Sequence, residues 1–187
     1  MPRIKYILAM TAVLVAVILL ASSCGGDAAA ARGDVSQGDA QLVKLKTVSE
    51  QLQKQISALF SGAFAGGKVD ATAFKTNADT VKETADKLAT GAASARKEYA
   101  KVDALEQVPA YKQYADDQIK VIDLNTAQID SLKTFLDKWS AEVSSAEFDP
   151  VAFVGAAREL STQMDTTAAA IKKLEDQASA LKKKEKL

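Results

Sequence analysis

The chain has 187 residues, 24 basic and 24 acidic side chains that balance to a formal charge of zero, one cysteine and no histidine. Without histidine there can be no Ser-His-Asp or Cys-His relay, no histidine-bearing zinc site and no Glu-x-x-His di-iron arrangement of the kind helical bundles carry. Balanced charge gives no basis for nucleic-acid binding, and a lone cysteine leaves packing rather than a disulfide to hold the fold.

Arg3 and Lys5 precede an almost wholly apolar run from Ile7 to Leu20, which ends in the small residues Ala21-Ser22-Ser23 before Cys24. A spanning helix wants about 20 apolar residues and a signal h-region roughly 7 to 15, and this run fits the shorter class. Ala21-Ser22-Ser23-Cys24 resembles the lipobox of bacterial lipoproteins, a resemblance confined to residues 1–24. In that family leucine commonly stands three places before the cysteine; here Ala21 does, with Leu20 one step earlier. The resemblance implies that residues 1–23 are a cleaved signal peptide and that Cys24 is acylated, palmitate included, and becomes the first mature residue. It also makes the membrane the first partner. One acyl chain binds only reversibly at about 0.8 kcal/mol per buried CH₂, and the two or three chains of this family anchor stably. Gly25 rather than aspartate after the cysteine implies the outer membrane, facing the periplasm, in a diderm. In a monoderm the same protein would sit on the outer face of its single membrane. The bland alternative is an uncleaved N-terminal anchor with a bystander cysteine.

Residues 24–40 hold glycines and aspartates around an alanine run and show no apolar periodicity, which predicts a flexible tether. Arg32-Gly33-Asp34 within it is the integrin-recognition tripeptide, common enough by chance to read as linker. Losing Arg3 and Lys5 with the signal leaves the remainder two charges on the acidic side. Residues 41–187 are long enough for one domain with a continuous core.

From Leu42 onward apolar residues recur with helical period. The first helix is expected from about Asp39 to Gly62, shorter than its partners, on Leu42, Leu45, Leu52, Ile56 and Leu59 with Ser49 as a polar member. Gly66-Gly67 followed by Lys68 lacks P-loop spacing and reads as a helix stop. The second helix, from Asp70 to about Leu105, carries Phe74, Ala78, Val81, Ala85, Leu88, Ala92, Ala95, Tyr99 and Val102. Its alternating steps of four and three mark the seam of a long bundle helix, and its alanines permit close approach. The third runs from Pro109 to about Ser145 on Tyr111, Ala115, Gln118, Ile122, Asn125, Ile129, Leu132, Leu136, Trp139 and Val143, which predicts Gln118 and Asn125 as buried polar residues. The fourth starts at Asp149-Pro150, a cap and a first-turn proline, and carries Phe153, Ala157, Leu160, Met164, Thr167, Ile171, Leu174, Ala178 and Leu181. Asp70 with Phe74 and Asp149 with Phe153 form a faint echo, which a duplicated hairpin would explain and for which shared bundle physics suffices.

Short connections between long helices predict an all-α fold, an antiparallel up-and-down four-helix bundle with coiled-coil-like helices; an intermolecular coiled coil is the alternative, and heptads leave the oligomeric state open. With lipid at the start of the first helix, Phe60, Phe64, Phe74, Phe135, Trp139, Phe148 and Phe153 fall at the far end. They are either a plug of core aromatics or a ligand or partner patch. Tyr99, Tyr111 and Tyr114 fall at the near end. Lys182, Lys183, Lys184 and Lys186 also end there, as a cap on the helix dipole or as contacts to anionic lipid headgroups. A lysine-rich end on a lipid-anchored helical chain is similar to murein lipoproteins, which join peptidoglycan through a C-terminal lysine; here Leu187 follows the lysines. No Asp-x-Asp-x-Asp-Gly loop, metal cluster or cofactor motif occurs in the sequence. The expectation is a non-enzymatic, lipid-anchored envelope protein acting as a helical spacer or interaction module toward another envelope protein or peptidoglycan. The alternative is a periplasmic bundle that binds a small apolar ligand at its Phe/Trp-rich end.

Overall fold

A computed structural model of the chain describes residues 26–63 and 70–187. These form an all-α four-helix bundle: α1 (Gly26–Ala63), α2 (Ala71–Lys101), α3 (Pro109–Glu142) and α4 (Pro150–Glu185), with a 3₁₀ turn at Val102–Ala104. Cys24, the signal-like segment, Phe64 and the Gly66-Gly67-Lys68 stop lie outside the described residues.

The starts of α2 and α4 follow their caps. Asp70 accepts from the Ala73 amide at 2.9 Å, and Asp149 accepts from the amides of Val151 and Ala152 at 2.8 and 3.1 Å with Pro150 in the first turn. Each carboxylate satisfies amides that a helix start leaves unpaired. α2 ends at Lys101, earlier than its periodicity suggests, because its last turn tightens into the 3₁₀ turn.

α1 overturns two expectations. Residues 26–40 are helix and not a tether, and at 38 residues α1 is the longest helix of the four. Glycine costs a helix about 1 kcal/mol relative to alanine, and here tertiary packing outweighs that cost: Ala31 is fully buried, Val35 is 3% exposed and Gly38 is buried. The seam seen farther along the helix simply continues back through Gly38, Val35 and Ala31.

Helices run antiparallel to their sequence neighbours. α1 and α2 pack most extensively, α3 packs on both α2 and α4, and α1 reaches α4 through Phe60 against Phe153 at one end and Asp39 against Lys182 at the other. Small residues explain the close α1–α2 pair. A Cβ on Gly38 would lie 2.7 Å from the Tyr99 ring, and one on Gly91 2.3 Å from a Leu45 methyl.

The core divides into two clusters. One gathers Leu52, Ile56, Leu59, Phe74, Val81, Leu132, Leu136, Trp139 and Phe153 at the end farthest from the start of α1. The other gathers Ala31, Val35, Tyr99, Val102, Val108, Tyr111, Tyr114 and Ala178 around the α2–α3 connection. There Lys186 takes a left-handed conformation (φ 55°), and the Leu187 amide donates to the Lys182 carbonyl at 3.1 Å, which turns Leu187 toward the same cluster. Between α2 and α3, three ion pairs repeat along the outer face: Lys82 with Asp137, Lys133 with Asp86, and Arg96 with Asp123.

Candidate functional site

Six of the seven aromatics singled out at the far end lie within the described side chains, and the structure brings them together. Phe153, with no exposed surface, sits at the centre: its ring lies 5.0 Å from Trp139 and 5.5 Å from both Phe74 and Phe135, and 6.1 Å and 6.5 Å from Phe148 and Phe60. The Trp139 and Phe74 contacts are edge-to-face, the arrangement ring quadrupoles prefer. The two first-turn phenylalanines of the sequence echo, Phe74 and Phe153, therefore meet. These rings cover one another, and Phe74, Phe135, Trp139 and Phe153 are core. Beside them, between α1 and α4, lies a cleft of about 30 Å³ lined by Ile56, Phe60, Leu132, Leu160 and Met164, about the share of one water.

The opposite end holds a polar network that links all four helices. Asp39 of α1 accepts on Oδ1 from the Tyr99 hydroxyl of α2 at 2.6 Å and the Tyr114 hydroxyl of α3 at 2.9 Å; on Oδ2 it accepts from Lys182 of α4 at 2.5 Å. The Lys182 ammonium also lies 5.3 Å from the centre of the Tyr114 ring, and the two tyrosine rings meet edge-on at 6.3 Å. Burial raises both phenols well above their ordinary value of 10, and the Asp39 charge adds to the effect. Two turns of α1 toward the end, Arg32 Nε donates to the Tyr111 hydroxyl at 3.3 Å, and beyond it the Asp27 carboxylate accepts from the Glu106 amide at 2.8 Å. Arg32 of the Arg-Gly-Asp tripeptide is thus part of the helix packing.

Asp39 falls where the expected tether ends and the expected first helix starts, and its glycine and aspartate neighbours give no sign of a buried role. The signal that finds it is the backward continuation of the α1 seam: Gly38 occupies a seam position with no side chain, and Asp39 stands beside it facing the same partners.

The lysine tail divides. Lys182 is held by Asp39, whereas Lys183, Lys184 and Lys186 are exposed, with Lys184 2.9 Å from Glu185. The buried-polar expectation shifts as well: Gln118 and Asn125 are only half-buried, and Asn125 Nδ2 donates to the Val121 carbonyl of its own helix at 2.9 Å. The buried amide is Gln128, 5% exposed, whose Nε2 donates 2.9 Å to the Met164 carbonyl of α4. Gln128 lies three residues beyond Asn125, one turn along and turned toward α4 rather than solvent. Asp117 is also buried, 3.5 Å from Lys120.

A second cleft, of about 220 Å³, opens between α2 and α3 close to the tyrosines. Tyr99, Ala100, Ala115 and Ile119 form its apolar walls, and Arg96, Lys112, Asp103 and Asp116 bring charge to it. Among the described residues no three of histidine, cysteine, aspartate and glutamate gather to hold a metal ion, and no helix is long and apolar enough to cross a membrane. No family model, curated protein or solved structure matches the chain.

Proposed function

We propose that the chain is a lipid-anchored protein of the cell envelope whose helical bundle acts as a non-enzymatic spacer or interaction module. The observation that carries this reading is the ordered series Arg3 and Lys5, the apolar run Ile7 to Leu20, and Ala21-Ser22-Ser23-Cys24. Two features of the fold support it. The described residues are helical from Gly26, two residues after Cys24, and the first turns of α1 are tied to the α2–α3 connection through Asp27 and to the first turn of α3 through Arg32. A lipid on Cys24 would therefore hold the bundle by one end with almost no slack, and α1 alone would reach about 55 Å from the membrane at 1.5 Å per residue. The exposed Lys183, Lys184 and Lys186 end α4 beside the start of α1. Anionic headgroups would attract each by about 1 kcal/mol near the surface. Aromatics spent on one another at the far end favour a spacer over an apolar-ligand carrier, and another envelope protein or peptidoglycan is the partner this role calls for.

Metabolic labelling of the expressed full chain with an alkyne fatty acid tests the reading. The wild type should incorporate label and fractionate with membranes, whereas Cys24→Ser should remain unlabelled and migrate as the longer, uncleaved precursor. Label retained by Cys24→Ser, or an unlabelled wild type, would overturn it.

A further inference from the structure

The cleft between α2 and α3 is bordered by charges of both signs, Arg96 and Lys112 with Asp103 and Asp116. Lys112 and Asp116 stand at i and i+4, within reach of each other on one helix face. Here Lys112 instead turns its ammonium to the Asp103 carbonyl at 2.7 Å. Among the described residues neither the Asp103 nor the Asp116 carboxylate has a cation within ion-pair distance, although both share the cleft with Lys112 and Arg96. Arg96 gives Nε and Nη2 to Asp123 at 2.8 and 3.4 Å, and the rest of its five N–H donors are left over. Two cationic and two anionic groups thus border one cleft without neutralising each other across it.

We propose that this cleft is a binding site for a small zwitterion, a molecule with an ammonium and a phosphate joined by a short carbon link, of which phosphoethanolamine is the simplest form. The anion is held by the remaining donors of Arg96 and Lys112, and the ammonium by Asp103 and Asp116. The carbon link lies on Ala100, Ala115 and Ile119. A simple anion would meet two carboxylates and a simple cation two positive groups, so only a ligand of both signs satisfies the whole border. The volume admits about seven waters' worth of ligand at roughly 30 Å³ each and falls below the roughly 300–1,000 Å³ of pockets for drug-sized molecules. Tyr99 makes the back wall rigid, because its hydroxyl is fixed by Asp39. The same chemistry is available as a free metabolite or as a lipid headgroup.

Calorimetric titration of the full chain in detergent with O-phosphoethanolamine, inorganic phosphate and ethanolamine tests the site. O-phosphoethanolamine should bind saturably at one site. Phosphate and ethanolamine should each bind at least about tenfold more weakly, since each meets only half the border. Lys112→Gln and Asp116→Asn should each weaken O-phosphoethanolamine about tenfold, the worth of one charge-assisted hydrogen bond. Both replace groups at the cleft border, and circular dichroism checks that the helices persist. Displacement of the bound probe by phosphatidylethanolamine in mixed micelles with the same detergent, and not by phosphatidylglycerol in such micelles, would identify a headgroup as the ligand; saturable binding without displacement would identify a free metabolite. Absence of saturable binding, equal binding of phosphate alone, or binding unchanged in both variants would each overturn the proposal.

Discussion

Asp39 accepts two phenol hydroxyls and an ammonium, one from each of the other three helices. A carboxylate so engaged fixes helix register, because a shift of any helix would orphan a buried polar group at about 1–3 kcal/mol. The tyrosines carry a pH signature. Their folded-state pKa values lie above the unfolded value of 10, chiefly through burial. Below pH 10 both states keep the protons and the stability is whole. As pH rises past 10 the unfolded chain ionises while the folded one resists, so stability falls by about 1.4 kcal/mol per pH unit for each tyrosine. Urea unfolding of the wild type should therefore be flat from pH 7 to 9 and weaken steeply above 10. The Tyr99→Phe/Tyr114→Phe double variant should lose most of that slope, with lysine ionisation common to both proteins. Equal slopes in the two would show that the phenols are not buried together. Tyr99 and Tyr114 are both legible in the sequence as a group at one end of the bundle, but their shared acceptor is not, because Asp39 lies at the boundary between the expected tether and the expected first helix, off the apolar seam.

The elements themselves followed from periodicity, and most strongly where side chains on the seam are large. α2 buries Phe74, Ala78, Val81, Ala85, Ala92, Ala95 and Tyr99 at the positions its four-and-three spacing singles out. The first third of α1 escaped for a physical reason: Ala31 and Gly38 are seam residues too small to register as apolar markers. Their smallness has meaning only against a partner, since the Tyr99 ring occupies the space a Gly38 side chain would need. Replacing Val35, 3% exposed, with aspartate should cost on the order of 3 kcal/mol by burying an unpaired carboxylate. Chemical denaturation measures this, and an unchanged midpoint would return residues 26–40 to the role of tether. Gly38→Ala should also destabilise, by displacing a tyrosine ring whose hydroxyl is already anchored.

At the scale of the whole molecule the four helices are not equally held. α3 buries residues on faces toward both α2 and α4, whereas α4, at 36 residues, buries only Phe153, Leu160, Ile171 and Ala178. Between its aromatic end and the Lys182 contact, α4 adds to buried Leu160, Ile171 and Ala178 only half-buried residues such as Met164, Thr167 and Leu174. Hydrogen exchange should find amides between Leu160 and Ala178 opening at least about tenfold more readily than those between Ala115 and Leu136, a difference of ~1.4 kcal/mol. Lys182→Ala should extend fast exchange to the end of α4, and equal protection of α3 and α4 would refute the unequal packing. By itself the amino-acid sequence determined helix type, the capped starts at Asp70 and Asp149, the antiparallel order and the division of aromatics between two ends. Those properties depend on local caps, period and short connections, which a linear chain displays directly. Tertiary structure alone decided that α1 extends back to Gly26, that Asp39 joins the four helices, that Gln128 and not Gln118 is the buried amide, and that Arg96, Asp103, Lys112 and Asp116 border one cleft. Each depends on which side chain lies opposite another on a different helix, and that information is absent until the helices pack.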